Sequence, residues 1–377
     1  MDCPVLWLAC RRHVAELHLG AAVKQITGQT KDPGVAVFRR LRAQWSSLEI
    51  DYGNLVKWDY LAASEKLQAV AADVLAWGQE QLQQRTFPRD DYKEFLELVV
   101  ISLGGHVEGF KFKLPGPDHH ARWMSKAIYN LKMKLISKFF HMSEVELSHV
   151  NQIAEFVVLF YAKFWFTTPL AASAARMKLD FMSHILEYRV VDAPLAFTVL
   201  ESAYRHLWYL TAQLIPLALT DTGLEDSSRE AMARALHGQT RGEIKTGKPI
   251  FPILPYGATV ARQNMASLIG PESWLVFDLL QLLGPQDWLL TPPSTWKQAP
   301  SFKALQDFTR KLTVVNDLAE RGCHLATEFI NRVRQFKMYF GKIHRTQYRS
   351  SQRIRGRRSS RWWRSSGRGS RTPRRRA

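Results

Sequence analysis

Between residues 46 and 300 the sequence repeats one pattern, in which apolar residues recur at spacings of three and four. These spacings place apolar side chains on one face of a helix, and the alternating runs that would indicate strands are rare. Proline interrupts the pattern, because it lacks the amide hydrogen that continues a helix. The breakers include Pro88, Pro115, Pro169, Pro249 and Pro292. The pattern therefore predicts a mainly α-helical protein.

The two ends of this region differ from its middle. Residues 5–9 are a short continuous apolar run that predicts a buried strand, although periodicity alone does not exclude a helix there. Residues 12–29 then show helical spacing. Near the other end, apolar residues at helical spacing predict one long helix over residues 302–340.

On that late helix, Asp317, Glu320 and Arg321 are spaced so that their side chains meet. Two carboxylates beside a guanidinium indicate either a metal site or an ion pair between Asp317 and Arg321 on a solvated surface. Taken alone, the ion pair is the commoner arrangement, and such pairs contribute under about 1 kcal/mol.

Positive charge is concentrated at the end of the sequence. The chain carries 52 Lys and Arg against 34 Asp and Glu, a net charge of +18, and 13 of the arginines lie in residues 345–377, where there is no lysine and no acid. Removing these 13 charges leaves +5 for the first 344 residues. The Arg/Ser/Gly composition of the tail predicts a disordered segment.

Arginine neutralises nucleic-acid phosphates, and Trp362 and Trp363 in the tail suit stacking on bases. The tail therefore predicts binding to DNA, or to RNA, without sequence specificity, and it would also serve as a nuclear localisation signal. The tail residues predicted to bind nucleic acid are Arg357, Arg358, Arg374, Arg375 and Arg376.

The cysteines and the longest apolar runs bear on the compartment. Cys3, Cys10 and Cys323 are odd in number and widely spaced, which indicates free thiols in a reducing, intracellular compartment. Each long apolar run is interrupted by charged residues before about 20 positions, so the sequence predicts no membrane span.

Two short polar motifs allow both a functional and a structural interpretation. Cys10 and His13 form a Cys-x-x-His pair, which could share a zinc ion or could fix a strand to the following helix. Arg122 and Lys126 share one face of a helix that Asp118 can cap, which suits phosphate but equally suits a solvated helix start. The aromatic residues of 160–166 are assigned to the core.

Four phrases of the sequence, in their order, resemble transposon-derived proteins and the catalytic region of hAT-type DDE transposases. They are LWLACRRHVAEL (residues 6–17), PGPDHHARWM (115–124), FYAKFWFT (160–167) and VVNDLAERG (314–322). The resemblance implies a ribonuclease-H-like core with three catalytic acids, and a large helical insertion between the second acid and the third. It also implies a Cys-x-x-His shortly after the second acid, and a third acid that is a Glu beside an Arg.

Under this resemblance Cys10 and His13 match the Cys-x-x-His, and Glu320 with Arg321 matches the third acid. Glu320, with Asp317 as a weaker candidate, would then be a catalytic ligand of Mg²⁺ or Mn²⁺, since carboxylates suit such ions. The first two acids should precede Cys10, where the sequence offers only Asp2. We therefore expect a catalytic core that is incomplete at its N-terminal side.

Together these features predict four regions. Residues 1–50 would be a strand and helix of a ribonuclease-H-like remnant, residues 51–300 the helical insertion, residues 301–344 a core helix carrying Glu320, and residues 345–377 the tail. The expected function is that of a transposase-derived, nucleic-acid-associated protein without cleavage activity in this form. The alternative is a non-catalytic helical scaffold with a nucleic-acid-binding tail. The sequence leaves open whether the chain is an enzyme and whether it forms an oligomer.

Overall fold

Helices are the dominant structure of the chain. The computed structural model describes residues 6–28, 36–84, 86–116, 124–241, 249–254, 264–284 and 286–316. Short 3-10 segments join the α-helices of these residues. The helices are α1 (Arg11–Thr27), α2 (Ala36–Gln44), α3 (Glu65–Gln84), α4 (Asp90–Ser102), α5 (Ser125–Leu135), α6 (Glu144–Phe156), α7 (Ala162–Phe166), α8 (Ala174–Tyr188), α9 (Ala193–Tyr204), α10 (Asp226–His237), α11 (Leu275–Leu279) and α12 (Pro300–Lys311). The predicted mainly α fold is confirmed.

Several helices begin where the sequence supplies a capping residue. At the start of α6, the Ser143 hydroxyl accepts a hydrogen bond from the Glu146 amide, and the Glu146 carboxylate accepts one from the Ser143 amide. At the start of α9, the Asp192 carboxylate accepts a hydrogen bond from the Leu195 amide. These caps satisfy amide groups that have no partner inside the helix.

The helical pattern over residues 144–166 is interrupted by a π turn. α6 ends at Phe156, Val157–Tyr161 forms the π turn, and α7 follows. Every side chain of the turn is buried. Because the turn widens the helix by one residue, the side chains that follow it are rotated relative to α6. Tyr161 at the end of the turn donates a hydrogen bond to Glu16 of α1.

Residues 1–316 belong to one compact unit, and one large hydrophobic cluster runs through its described part. The cluster includes Leu19 of α1, Trp165 of α7 and Leu305 of α12. The assignment of the aromatic residues of 160–166 to the core is confirmed, since all of them are buried. None of the described helices has the combination of length and apolar character that crossing a bilayer demands.

The predicted strand at residues 5–9 is not observed over its described part. Residues 6–10 precede α1 without joining a sheet, and the described residues contain no β-strand. Among the described residues, this segment has too few backbone partners for a ladder. The Ala9 carbonyl accepts a hydrogen bond from the Tyr209 hydroxyl, and the described bond to another extended segment is the one from the Arg11 amide to the Val314 carbonyl.

The predicted long helix carrying Glu320 is also interrupted. α12 ends at Lys311, Leu312 has extended backbone angles, and residues 313–316 are not helical. This segment contains the run Thr313, Val314 and Val315, whose branched side chains favour extended backbone. The Val314 carbonyl accepts a hydrogen bond from the Arg11 amide. In a continuous helix this carbonyl would instead accept from an amide of its own helix. Glu320 itself lies outside the described residues.

A buried ion pair links α4 and α5. Lys132 Nζ lies 2.6 Å from Glu94 Oε1, and both side chains are almost completely excluded from solvent. Lys132 also donates to the Lys113 carbonyl at 2.7 Å, and the Lys113 amide donates to Glu94 at 3.2 Å. The pair therefore joins two helices to the loop between them. If one partner were removed, the remaining charge would be buried without solvation by water.

Lys132→Met is expected to lower the free energy of unfolding by about 3–5 kcal/mol, because the Glu94 carboxylate would remain buried without its counterion. Chemical denaturation measures the change. The Lys132→Met, Glu94→Leu double variant should recover much of the loss, since both charges are then absent. Arg205→Met, which breaks the exposed Glu201–Arg205 pair, is the control and should cost under about 1 kcal/mol. An equal cost for Lys132→Met and Arg205→Met would contradict the prediction.

Candidate functional site

Most of the residues predicted to act on nucleic acid or metal lie outside the described residues. These are Asp317, Glu320, Arg122 and the tail arginines Arg357, Arg358, Arg374, Arg375 and Arg376. Their roles stay predictions. The described residues do include Cys10, His13 and Lys126, together with the segment that leads up to Asp317.

That segment meets the start of α1. The Arg11 amide donates to the Val314 carbonyl at 2.9 Å, and the Asn316 amide donates to Cys10 Sγ at 3.2 Å. The residue immediately before Asp317 therefore lies against the predicted Cys-x-x-His. Sequence reasoning alone provided no signal for this contact beyond the resemblance, because 306 residues separate Asn316 from Cys10.

Cys10 and His13 differ in their surroundings. Cys10 is partly buried with its sulfur used as a hydrogen-bond acceptor, whereas His13 is exposed in the first turn of α1. Within the described ranges, no group of three or more His, Cys, Asp or Glu side chains is arranged to hold a metal ion. The observed contact fits the structural interpretation of Cys10, and the metal interpretation stays a prediction.

Behind Cys10, a cluster of cationic and imidazole side chains is buried between α1, α8 and the segment after α9. Arg11 and Lys178 are 4% and 5% exposed, and His18 is fully buried. Lys178 Nζ lies 2.9 Å from His18 Nε2, and His18 Nδ1 lies 2.8 Å from the Ser202 hydroxyl. The His206 ring is 6.0 Å from the His18 ring, centroid to centroid.

Arg11 holds the end of α7 in place. Its Nη1 donates to the carbonyls of Thr167, Thr168 and Leu170 at 3.0, 2.9 and 2.7 Å. These carbonyls follow the last turn of α7, where helix carbonyls lack partners inside the helix. Arg11 Nη2 is buried and has no hydrogen-bond partner. One guanidinium nitrogen is thus saturated and the other is unused.

The environment of the cluster disfavours positive charge. Burial lowers the pKa of Arg11 to about 10. Burial, with the charge of Arg11, holds the pKa of Lys178 well below its ordinary value. Burial, with the charges of Lys178 and His206, does the same for the pKa of His18. Each shift favours the neutral form, and no carboxylate of the described residues is among the groups that raise these pKa values.

These side chains border a small cleft. Its lining includes Arg11, Lys178, His206 and Tyr209 beside apolar groups, and its cavity volume is about 20 Å³. The Arg11 guanidinium lies 5.6 Å from the centre of the Tyr209 ring. Burial raises the pKa of Tyr209, so its hydroxyl keeps its proton and donates to the Ala9 carbonyl.

Sequence reasoning did not single out Lys178, although the sequence contains a signal. Lys178 lies in a stripe with Ala174, Met182 and Ile185, all of which are buried on one face of α8. A lysine inside an apolar stripe indicates a buried amine that needs a partner. Arg11 lies within the Cys-x-x-His motif, but its burial depends on the residues that follow α7. No local pattern in the first helix indicates that contact.

Lys126, predicted to bind phosphate, is half-buried in the first turn of α5. The positive charge of Lys126 lowers the pKa of Glu16 in α1. The Glu16 carboxylate accepts hydrogen bonds from the Tyr161 hydroxyl and, at 2.8 Å, from the Met124 amide. Burial raises the pKa of Glu16, while these hydrogen bonds and Lys126 lower it in part. Lys126 therefore has a carboxylate in its neighbourhood already.

Comparison with protein-family models, with curated proteins and with solved structures found no match for this chain. The resemblance to hAT-type transposases accordingly depends on its four short sequence motifs.

Glu16→Gln is expected to gain stability relative to the wild type as pH rises. The folded-state pKa of Glu16 is above the unfolded value of about 4.5, so wild-type stability is lost as pH rises from 4.5 towards the folded pKa. Glutamine accepts the same hydrogen bonds and does not ionise. Urea denaturation at several pH values measures the difference, which should grow by about 1.4 kcal/mol per unit of pKa shift.

The exposed Glu65→Gln variant is the matched control for the loss of one carboxylate. The prediction would be wrong if Glu16→Gln and the wild type differed by the same free energy of unfolding at pH 4 and at pH 7. Glu16 would then have to ionise normally in the folded state.

Proposed function

We propose that this chain is a transposase-derived, nucleic-acid-associated protein that does not cleave nucleic acid in this form. The observation that carries the association is the distribution of charge: 13 arginines and no acid lie between residues 345 and 377. A segment of this composition binds the phosphate backbone through charge and counterion release, whatever the sequence of the nucleic acid. The same basic segment would direct the protein to the nucleus.

The meeting of residues 10–11 with residues 314–316 supports the transposase ancestry. The resemblance implies that the Cys-x-x-His and the third acid belong to one core, although a helical insertion separates them in sequence. Here the Arg11 amide bonds to the Val314 carbonyl, and helices occupy most of the chain between them. Such an arrangement is expected of a core built from both ends of the chain.

Asp317 and Glu320 would be the residues of this chain that hold Mg²⁺ or Mn²⁺. In related enzymes such ions stabilise the attacking and leaving oxygens of a phosphoryl transfer. The resemblance matches only Glu320 to one of the three catalytic acids, and one such carboxylate is not sufficient to hold two ions, so binding without cleavage is the activity that we propose.

The competing proposal is a non-catalytic helical scaffold in which the tail alone contacts nucleic acid. One observation favours it. Lys126, which was predicted to face phosphate, is half-buried near the Glu16 carboxylate. Deletion of residues 345–377 separates the two proposals: loss of all binding supports the scaffold, whereas residual salt-dependent binding by residues 1–344 supports a second contact in the body of the protein.

Replacing Arg357, Arg358, Arg374, Arg375 and Arg376 by glutamine is expected to weaken binding to DNA and RNA of any sequence. Each lost phosphate contact lowers the slope of log affinity against log salt by about 0.9 on duplex DNA, so the slope should fall by up to about 4.5. Fluorescence anisotropy of labelled duplexes at several salt concentrations measures the slope.

The matched control replaces the same five arginines by lysine. Lysine keeps the charge, so the slope should stay close to that of the wild type. An unchanged slope in the glutamine variant would show that the tail does not contact phosphates.

Neither the wild type nor Glu320→Gln is expected to cleave labelled single-stranded or duplex DNA with Mg²⁺ or Mn²⁺ present. Gel analysis of the products over time measures this. Cleavage by the wild type that disappears in Glu320→Gln would establish an active enzyme and overturn the proposed lack of cleavage, while leaving nucleic-acid association intact.

A further inference from the structure

Four aromatic side chains form an open surface at the edge of the packing between α2 and α5, and we call them the aromatic surface. The ring centroids are 6.1 Å apart for Trp45 and Phe112, 5.6 Å apart for Tyr52 and Phe112, and 4.9 Å apart for Phe110 and Phe112. All four side chains are partly exposed to solvent, and Tyr52 is 47% exposed. Contiguous exposed apolar side chains are typical of interaction surfaces.

The Tyr52 ring is held in a fixed position although it is exposed. Its hydroxyl accepts a hydrogen bond from the Phe112 amide at 3.3 Å. Tyr52 begins a 3-10 turn that ends at Asn54. The Asp51 carboxylate accepts hydrogen bonds at 2.8 Å from the Gly53 amide and from the Asn54 side chain, which fixes this turn. A fixed ring loses little conformational entropy when a ligand covers it, so Tyr52 is pre-organised for binding.

Three segments of the chain build the layer that carries the aromatic surface: residues 36–57, 106–116 and 125–141. The rings of Phe38 and Tyr129 stack with their centroids 4.5 Å apart, which joins the first segment to the third. The hydrogen bond that Lys132 donates to the Lys113 carbonyl joins the third segment to the second. The charges of all three segments are therefore held within one layer.

The positive charge of the first 344 residues is concentrated in this layer. Its three segments contain ten Lys and Arg against three Asp and Glu, a net charge of +7. The first 344 residues together carry +5, so the rest of them carry −2. The three acids are Glu49, Asp51 and Glu108, and Asp51 is engaged by the hydrogen bonds that fix its turn. The charge of the layer therefore favours an anionic ligand.

Two exposed cations are close in sequence to the aromatic rings. Lys111 separates Phe110 from Phe112, and Arg42 precedes Trp45 by three residues. Both cations are exposed. Their long side chains can therefore reach a ligand that covers these rings.

The combination of rings and cations selects the class of ligand. The bases of a single strand of nucleic acid stack on aromatic side chains, while basic residues neutralise the phosphates between them. The bases of a duplex are already stacked on one another, so they cannot cover these rings unless the strands separate. An acidic peptide would use the cations but would leave the planar rings without a matching group.

We propose that the aromatic surface binds single-stranded DNA or RNA, with a base stacked on the Tyr52 ring and with phosphates beside Arg42 and Lys111. This inference rests on the proposed association with nucleic acid. It adds a second contact, in the helical part of the chain, that requires unpaired bases, whereas the arginine tail binds the phosphates of any strand.

The test uses the full chain with the five tail arginines replaced by glutamine, so that the tail does not mask a second contact. Fluorescence anisotropy measures Kd for labelled oligothymidine, for oligouridine and for a duplex of the same length. Tyr52→Ala is expected to raise Kd for both single strands by about 5- to 100-fold, which is the effect of removing one stacked ring, and to raise Kd for the duplex by less than about twofold.

Matched variants control for the loss of a ring or a charge. Phe197→Ala removes a ring of similar exposure from α9 and should leave all three Kd values within about twofold of the parent. Tyr52→Phe keeps the ring and should keep the affinity for single strands. Lys111→Gln should lower the slope of log affinity against log salt on oligothymidine by about 0.7, whereas the exposed Lys24→Gln should not change it.

Photocrosslinking provides a readout that needs no variant. Oligonucleotides that contain bromouracil are irradiated with the wild type, and mass spectrometry locates the attachment site. Attachment within residues 45–52 or 110–112 is expected, and attachment confined to residues 345–377 would overturn the site.

Failure of the site and failure of the proposed function give different results. Absence of any binding by the wild type would overturn both. Wild-type binding that the five tail substitutions abolish, or equal Kd values for Tyr52→Ala and Phe197→Ala, would overturn the aromatic site alone. If Tyr52→Ala weakened binding of the duplex, or of labelled polyglutamate, as much as binding of single strands, the surface would not recognise bases and the site would be overturned.

Discussion

The burial of polar side chains on α1 is the constraint on which the rest of the described structure depends. Arg11, Arg12 and His18 are all buried, so each donor needs an acceptor from another part of the chain. Arg11 bonds to the carbonyls that follow α7, and His18 bonds to Ser202 of α9. The Arg12 guanidinium lies 4.8 Å and 4.6 Å from the ring centres of Tyr92 and Trp165. The position of α1 therefore fixes α4, α7 and α9 around it.

The existence of the helices could be predicted from the sequence, because apolar periodicity and capping residues act locally. The buried face of α1 could not. Leu17 has the apolar side chain that a buried position favours, yet Leu17 is exposed and the polar His18 beside it is buried. His18 is accommodated by Ser202, 184 residues away, and by Lys178, 160 residues away. A pattern read within one helix contains no information about partners at such distances.

The candidate site was predictable to a smaller extent. The Cys-x-x-His motif directed attention to Cys10, and the structure places Asn316 against its sulfur. The motif gave no indication that Arg11, between the two named positions, would be buried with one nitrogen unpartnered. Lys178 carried a usable signal as a charge in an apolar stripe of α8. The roles of Asp317 and Glu320 stay predictions, because both lie outside the described residues.

The hydrogen bond from Asn316 to Cys10 has a consequence for biosynthesis. The ribosome makes Cys10 first and Asn316 some 306 residues later, which at roughly 5–20 residues per second is about 15–60 s. Within that interval α9 is synthesised before the closing segment, so α1 can contact α9 earlier than the start of α1 can contact residues 314–316. The contact between Cys10 and Asn316 can therefore form only after all of the described helices have been synthesised.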